Sequence, residues 1–203
     1  MDKALIIGIA LILVDRYLRR KDQSQDLPEW FIRSNDYWYV LPVGISDTAL
    51  ELENNVMSYK SIIMKVAQYY GIEAAVIAGI IYKESQGVAS KTNGRYLGLM
   101  QFGLAEASSM LYKGTAESLL NPETNIYWGT TYLDYCIEKR KSLVGGVSGY
   151  NTGNVEGNPL FNASYVGAVT RYANRFRYLL NQEYPGYATI FPKETWLTKP
   201  EVV

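Results

Sequence analysis

The stretch "AAVIAGIIYKESQG", Ala74 to Gly87, decides how the chain is read. No charge occurs from Ala74 to Ile81; Lys83 and Glu84 then appear, followed by a polar loop containing glycine. Residues that are apolar nearly all round predict a helix over Glu73–Ser85, buried in a core. Glu84 falls in its last turn. One reading is a helix-end glutamate that points to solvent beside Lys83. The other is a functional acid. The negative end of the helix dipole disfavours a carboxylate there, and apolar surroundings disfavour its ionisation. Both effects push the pKa upward, so Glu84 is expected to hold a proton near neutral pH, as a general acid must.

Composition narrows the chemistry. The 203 residues suffice for one domain plus an appendage. Apolar residues make up 48% and charged residues 20%, a globular balance rather than a disordered one. Net charge is zero, so no nucleic-acid partner is expected. Histidine is absent, which excludes Ser-His-Asp and Cys-His catalysis and His-ligated zinc. Acid and base work therefore falls to Glu, Asp, Lys or Tyr. The lone Cys136 excludes an intrachain disulfide and reads as a small core residue. No metal site or cofactor is expected. The 18 tyrosines and four tryptophans fit core packing with polar tips, or a groove whose flat faces stack on sugars; composition alone favours packing.

Four regions are expected: an apolar helix over 1–22, an aromatic-rich connector over 23–57, a helical domain over 58–183 and an extended tail over 184–203. Ala4 to Val14 is uninterrupted and apolar, shorter than the ~20 residues of a full span. The "MDK" start carries no net positive charge and no small-x-small site follows, against a cleaved signal. An uncleaved membrane anchor is the favoured reading and a buried core helix the alternative. Arg16, Arg19, Arg20 and Lys21 follow the run, an order that would leave the domain on the cytoplasmic side. The connector, with "LPEWFIRSNDYWYVLPVG", is irregular and carries two prolines.

The helical series continues through Ser58–Tyr70, with Gly71 as its stop. Leu104–Tyr112 is a short helix. Asn121 reads as an N-cap and Pro122 as the first helical position of the next one. Its apolar line is Ile126, Gly129, Leu133, Cys136 and Ile137, and it ends in Lys139, Arg140 and Lys141. Asn162–Asn181 is the last helix. No strand signal of comparable strength appears. The tail from Pro185 reads as an extended wrap over the surface.

Four motifs occur in order: "ES" at Glu84 and Ser85, "GLMQ" at Gly98 to Gln101, "LLNPETNIYWGTTYL" at Leu119 to Leu133, and "GYNTGN" at Gly149 to Asn154. "SYVGAVTRY", Ser164 to Tyr172, follows. Over about Ser58 to Asn181 the chain resembles the lytic transglycosylases with a lysozyme-like catalytic domain. Taken without that resemblance, "GYNTGN" reads as a turn, Gly98 as a tight turn and Met100 as core.

The resemblance implies a mainly α, lysozyme-like fold and peptidoglycan glycan strands as substrate. It implies that Glu84 is the catalytic acid and then the base. Gly98 would let the backbone approach the sugar, Met100 and Gln101 would line the groove, Tyr150 would place its hydroxyl near Glu84, and Asn151 would bind an N-acetyl or hydroxyl group. The family often has a hydroxyl residue after the glutamate; Ser90 and Thr92 are candidates, with Thr92 preferred. The implied reaction cleaves between N-acetylmuramic acid and N-acetylglucosamine and yields a 1,6-anhydro sugar with a single carboxylate. Glu106, Glu117 and Glu123 read as solvated or capping residues, although one could still converge on the site in space. A hydrolase of the same fold and a non-catalytic wall-binding protein are the alternatives. Three features depart from the pattern: bulky Tyr96 and Leu97 before "GLMQ", no proline after Gln101, and a glycine-rich "GGVSGYNTG". The atypical leader also fits a phage protein carried in an internal virion membrane.

Overall fold

A computed structural model describes residues 47–153, 160–192 and 196–197. All of these lie in one compact unit, Tyr39–Lys199. The apolar helix expected over 1–22, and most of the connector, lie outside the described residues. Among the described residues, no helix is long and apolar enough to cross a membrane.

The described chain is mainly helical, in keeping with a lysozyme-like fold. Helix α1 is Asp47–Met57, α2 is Lys60–Tyr70 and α3 is Ala74–Ser85. The expected connector thus ends in a helix. Three two-residue strands follow: β1 (Thr92–Asn93), β2 (Tyr96–Leu97) and β3 (Phe102–Gly103). They form an antiparallel sheet in the order β1-β2-β3, with Asn93 opposite Tyr96 and Leu97 opposite Phe102. Helix α4 (Leu104–Ser109) and a 3₁₀ turn at Glu117–Leu120 lead to α5 (Pro122–Arg140). Then come α6 (Leu143–Thr152), α7 (Ala163–Glu183) and the single turn α8 (Tyr187–Ile190).

Local chemistry sets most of these boundaries. The Asn121 side chain accepts the Thr124 amide at 3.1 Å, and Pro122 opens α5, as the sequence predicts. Ser142 caps α6 through the Gly145 amide, and Asn162 caps α7 through the Tyr165 amide, each at 3.0 Å. Gly71 closes α2 in the left-handed conformation.

Helix α3 is the centre of the core. Every residue from Ala74 to Ile81 is buried. Val76, Ile77, Ile80 and Ile81 are fully so, each contributing about 1.5–3 kcal/mol relative to exposure. Its principal neighbour is α7. The two touch at Gly79, where a Cβ would sit 3.0 Å from Val169 O and Ala173 N. Ile126, Gly129, Leu133 and Cys136 form the buried line of α5.

The far end of α3 is fixed by charge. Glu73 is fully buried and takes a bidentate bond from Arg177 of α7, at 2.5 Å from Nε and 2.7 Å from Nη2. The Tyr187 hydroxyl accepts the Ala75 amide at 3.0 Å, and Trp196 lies 4.2 Å from the Arg177 guanidinium. The expected extended surface wrap therefore contains a helical turn, and Tyr187, Phe191 and Leu197 are core residues. Those apolar side chains close the base of α3.

A buried pair stripped of one partner leaves a desolvated charge. Glu73→Ala is expected to destabilise the protein by about 3–5 kcal/mol, measured by chemical denaturation.

Candidate active site

A cleft of about 270 Å³ opens at the other end of α3. Glu84 lines it from the last turn of α3, Gln101 and Phe102 from the turn and strand after "GLM", Tyr132 from α5, and Tyr150 and Asn151 from α6. Asn93, Arg95 and Tyr96 form a wall from the hairpin, and Glu106 reaches the cleft from α4.

Glu84 is half-buried. The Tyr165 hydroxyl, buried on α7, donates to Glu84 Oε1 at 2.5 Å. Desolvation raises the Glu84 pKa above the ordinary carboxylate value. The Tyr165 hydrogen bond and the charges of Lys83 and Lys91 pull it down, and the net shift is upward. Lys91 also donates from Nζ to the Glu84 carbonyl at 2.7 Å, a cation on the open end of the helix.

The turn beside Glu84 is held by Asn125, which is fully buried on α5. Its Oδ1 accepts the Met100 amide at 2.7 Å, and its Nδ2 donates to Leu97 O and Leu119 O at 2.9 and 2.7 Å. Every polar atom of the side chain is satisfied, which fixes the turn rigidly. Gly98 sits at φ +73°, and a Cβ there would lie 2.4 Å from Asn125 Nδ2. The close approach that Gly98 permits is therefore to Asn125.

The residues singled out from the sequence fall into two groups. Glu84, Gln101, Tyr150 and Asn151 share the cleft. Gln101, at φ +46°, donates from Nε2 to the Lys91 and Gly98 carbonyls. Tyr150 is buried, and its hydroxyl donates to Met100 O at 2.7 Å rather than to Glu84. Asn151 Oδ1 accepts from Asn162 Nδ2 at 2.7 Å. Met100, Gly98 and Thr92 are not among the lining residues. The Met100 side chain is fully buried in the space left by Gly129, and Thr92 is exposed on β1.

Among the residues at the site, Tyr165, Asn125, Arg95 and Tyr132 are given no role by the sequence. Tyr165 lies inside the quoted "SYVGAVTRY", and Asn125 inside "LLNPETNIYWGTTYL", so the signal was present in the motifs. Glu106 had only a capping pattern.

Residues 61–166 match the family described as Transglycosylase SLT domain. The chain belongs to this family. It is 30% identical over 100 residues to "Membrane-bound lytic murein transglycosylase E" of Buchnera aphidicola, covering 45% of each chain. It is 34% identical over 105 residues to "Lysozyme g" of Struthio camelus, covering 47% of this chain and 50% of that protein. To "Lysozyme G" of Dromaius novaehollandiae it is 31% identical over 124 residues, covering 55% of this chain and 60% of that protein. The chain spans about half the length of these relatives.

The opposing influences on Glu84 can be separated. In a carbon-detected NMR titration, the Glu84 carboxyl is expected to titrate above the ordinary glutamate value. Tyr165→Phe removes a donor that favours the ionised form, so the pKa should move higher still. A downward movement would show that Tyr165 does not stabilise the carboxylate.

Proposed function

We propose that the protein is a peptidoglycan lytic transglycosylase in which Glu84 is both acid and base. The observation that carries this reading is a carboxyl with a raised pKa at the floor of an open cleft, held by one tyrosine hydroxyl. Membership of the SLT family supplies the substrate class.

Protonated Glu84 gives its proton to the oxygen linking N-acetylmuramic acid to N-acetylglucosamine. The bond from the anomeric carbon to that oxygen breaks, and the leaving sugar keeps the electron pair as a hydroxyl. The Glu84 carboxylate then takes the proton of the muramic 6-hydroxyl, and this oxygen bonds the anomeric carbon. No water is consumed, and Glu84 ends as it began. Tyr165 steadies the carboxylate between the two steps and fixes its direction. Gln101 and Asn151 offer amide groups to the sugar. Tyr150 acts on the turn, through Met100 O. For Gly98, Met100 and Thr92 the role that fits their placement is support of the turn and hairpin.

Hydrolysis by the same fold is the second reading. It is favoured by one observation, the Glu106 carboxylate on the cleft, since glycosidases generally use two acids. Glu106 Oε1 is already engaged by Arg95 at 3.2 Å and Oε2 is inaccessible, which leaves neither oxygen free to hold a water and keeps transglycosylation first.

The apolar run Ala4–Val14 supports attachment to a membrane, and the basic residues after it fit an internal virion membrane that brings the enzyme to the wall. Detection of the intact chain in purified virions would support this setting. A cleaved periplasmic form in uninfected cells would overturn it.

Purified peptidoglycan treated with the protein is expected to release 1,6-anhydro muropeptides, identified by mass spectrometry. Glu84→Gln should lower release by at least about 10³-fold, because the proton donor is gone. Activity should fall as pH rises through the elevated Glu84 pKa, since the acid must be protonated. Reducing-end products would establish hydrolysis instead, and undiminished activity of Glu84→Gln would remove Glu84 from the chemistry.

A further inference from the structure

The hairpin wall of the cleft carries a cation that the acid–base chemistry does not use. Arg95 sits in the two-residue loop between β1 and β2 and lines the same cleft as Glu84. It is exposed to solvent, yet held on two sides. Its Nη2 donates to the Tyr96 hydroxyl at 2.9 Å and pairs with Glu106 Oε1 at 3.2 Å. Its guanidinium also lies 5.0 Å from the Tyr96 ring centroid. Both bonds use the same nitrogen. The Nε and Nη1 donors have no partner among the described residues; both fork edges of a guanidinium share Nη2, so these two are left to donate singly to an anion.

Glu106 is itself fixed. Its Oε2 is inaccessible and lies in the space left by Gly103, where a Cβ would come within 2.2 Å. The carboxylate therefore holds the guanidinium through Nη2 and leaves Nε and Nη1 to a ligand. Tyr96 is one of the bulky residues at which this chain departs from the family pattern, and it is the residue that braces Arg95.

We propose that Arg95 is a specificity residue that binds a carboxylate substituent of the glycan strand, with Tyr96 and Glu106 as its positioning residues. This rests on the peptidoglycan reading above. The ligand is an anion attached to a sugar. Two sources share that chemistry: the lactyl carboxyl of a stripped strand, and the free carboxyls of a peptide stem. Because the contact is to a substituent and not to the reacting atoms, it is made equally in ground and transition states and acts on KM.

The full-length protein and Arg95→Gln are compared on stem-bearing peptidoglycan, on strands stripped of peptide, and on both after the carboxyls are converted to neutral amides. The wild type is expected to cleave the carboxyl form of one pair about three- to tenfold faster than its amide, through KM, with the advantage shrinking as salt is added. The pair that shows it identifies the source of the carboxylate. In Arg95→Gln the ratio should fall to about one, and Arg95→Lys should recover part of it. Equal wild-type rates on acid and amide, or an unchanged ratio in Arg95→Gln, would overturn the assignment while the enzymatic reading stands. Absence of cleavage of all four substrates by the wild type would end both together.

Discussion

The close contact between α3 and α7 at Gly79 governs the geometry of the site. The helices run antiparallel, and three contacts follow the same register: Glu73 with Arg177, Gly79 with Val169 and Ala173, and Glu84 with Tyr165. Movement along one helix is matched by movement back along the other, at 1.5 Å per residue. A side chain at Gly79 would force the helices apart and draw the Tyr165 hydroxyl off Glu84. The buried ion pair at the base blocks sliding along the axis, and its bidentate geometry also blocks rotation. The position of one carboxyl is thus set by contacts on the far side of the core.

That rigidity matters because the protonation of Glu84 is a balance. Burial of the carboxyl favours the neutral acid, whereas one short hydrogen bond and two lysines favour the ion. Desolvation wins, but the opposing groups remain close enough to receive the charge when the proton leaves. A carboxyl in a wholly apolar pocket would hold its proton and could not act as a base. A carboxyl in water would have lost it. The Tyr165 hydroxyl provides the intermediate case only while the distance between α3 and α7 is kept.

The core elements were legible in the sequence because each rests on a local rule. Uniform apolarity marked α3, Asn121 with Pro122 marked the start of α5, and the apolar line Val166, Val169, Tyr172, Phe176 and Leu180 marked α7. The helix α6 was less so, since "GGVSGYNTG" lacks the composition of a helix; its glycines are tolerated because Gly146 packs directly on Ile137. Helix α1 was folded into the connector because its sequence, DTALELENNVM, is mostly polar, and Glu53 earns its burial only through Arg175, far away in the chain. The tail carried the same difficulty: nothing near Tyr187 announces a partner at Glu73. In the site, Glu84 was readable from its own helix. The actual partners of Tyr150 and Gly98 were not, because Met100 O and Asn125 reach them across the fold. The three strands carry little signal at two residues each, although Gly94, at φ +60° in the first loop position, is a hairpin residue.

The division between helices and hairpin also explains where this chain departs from its family's pattern. Asn125 holds the backbone at Leu97 and Met100 through carbonyl and amide groups, which any residue supplies. The side chains at Tyr96 and Leu97 are therefore free to change without moving the turn or Glu84. Of the two, Tyr96 points its change at the cleft, where it lines the wall with Arg95. Glu84 sits on α3, which is locked to α7 through the core, and the hairpin wall hangs on a short sheet joined by backbone bonds. Substitutions on that wall change the lining of the cleft and leave the Glu84–Tyr165 geometry intact. This separation arises from a buried asparagine that bonds only main chain.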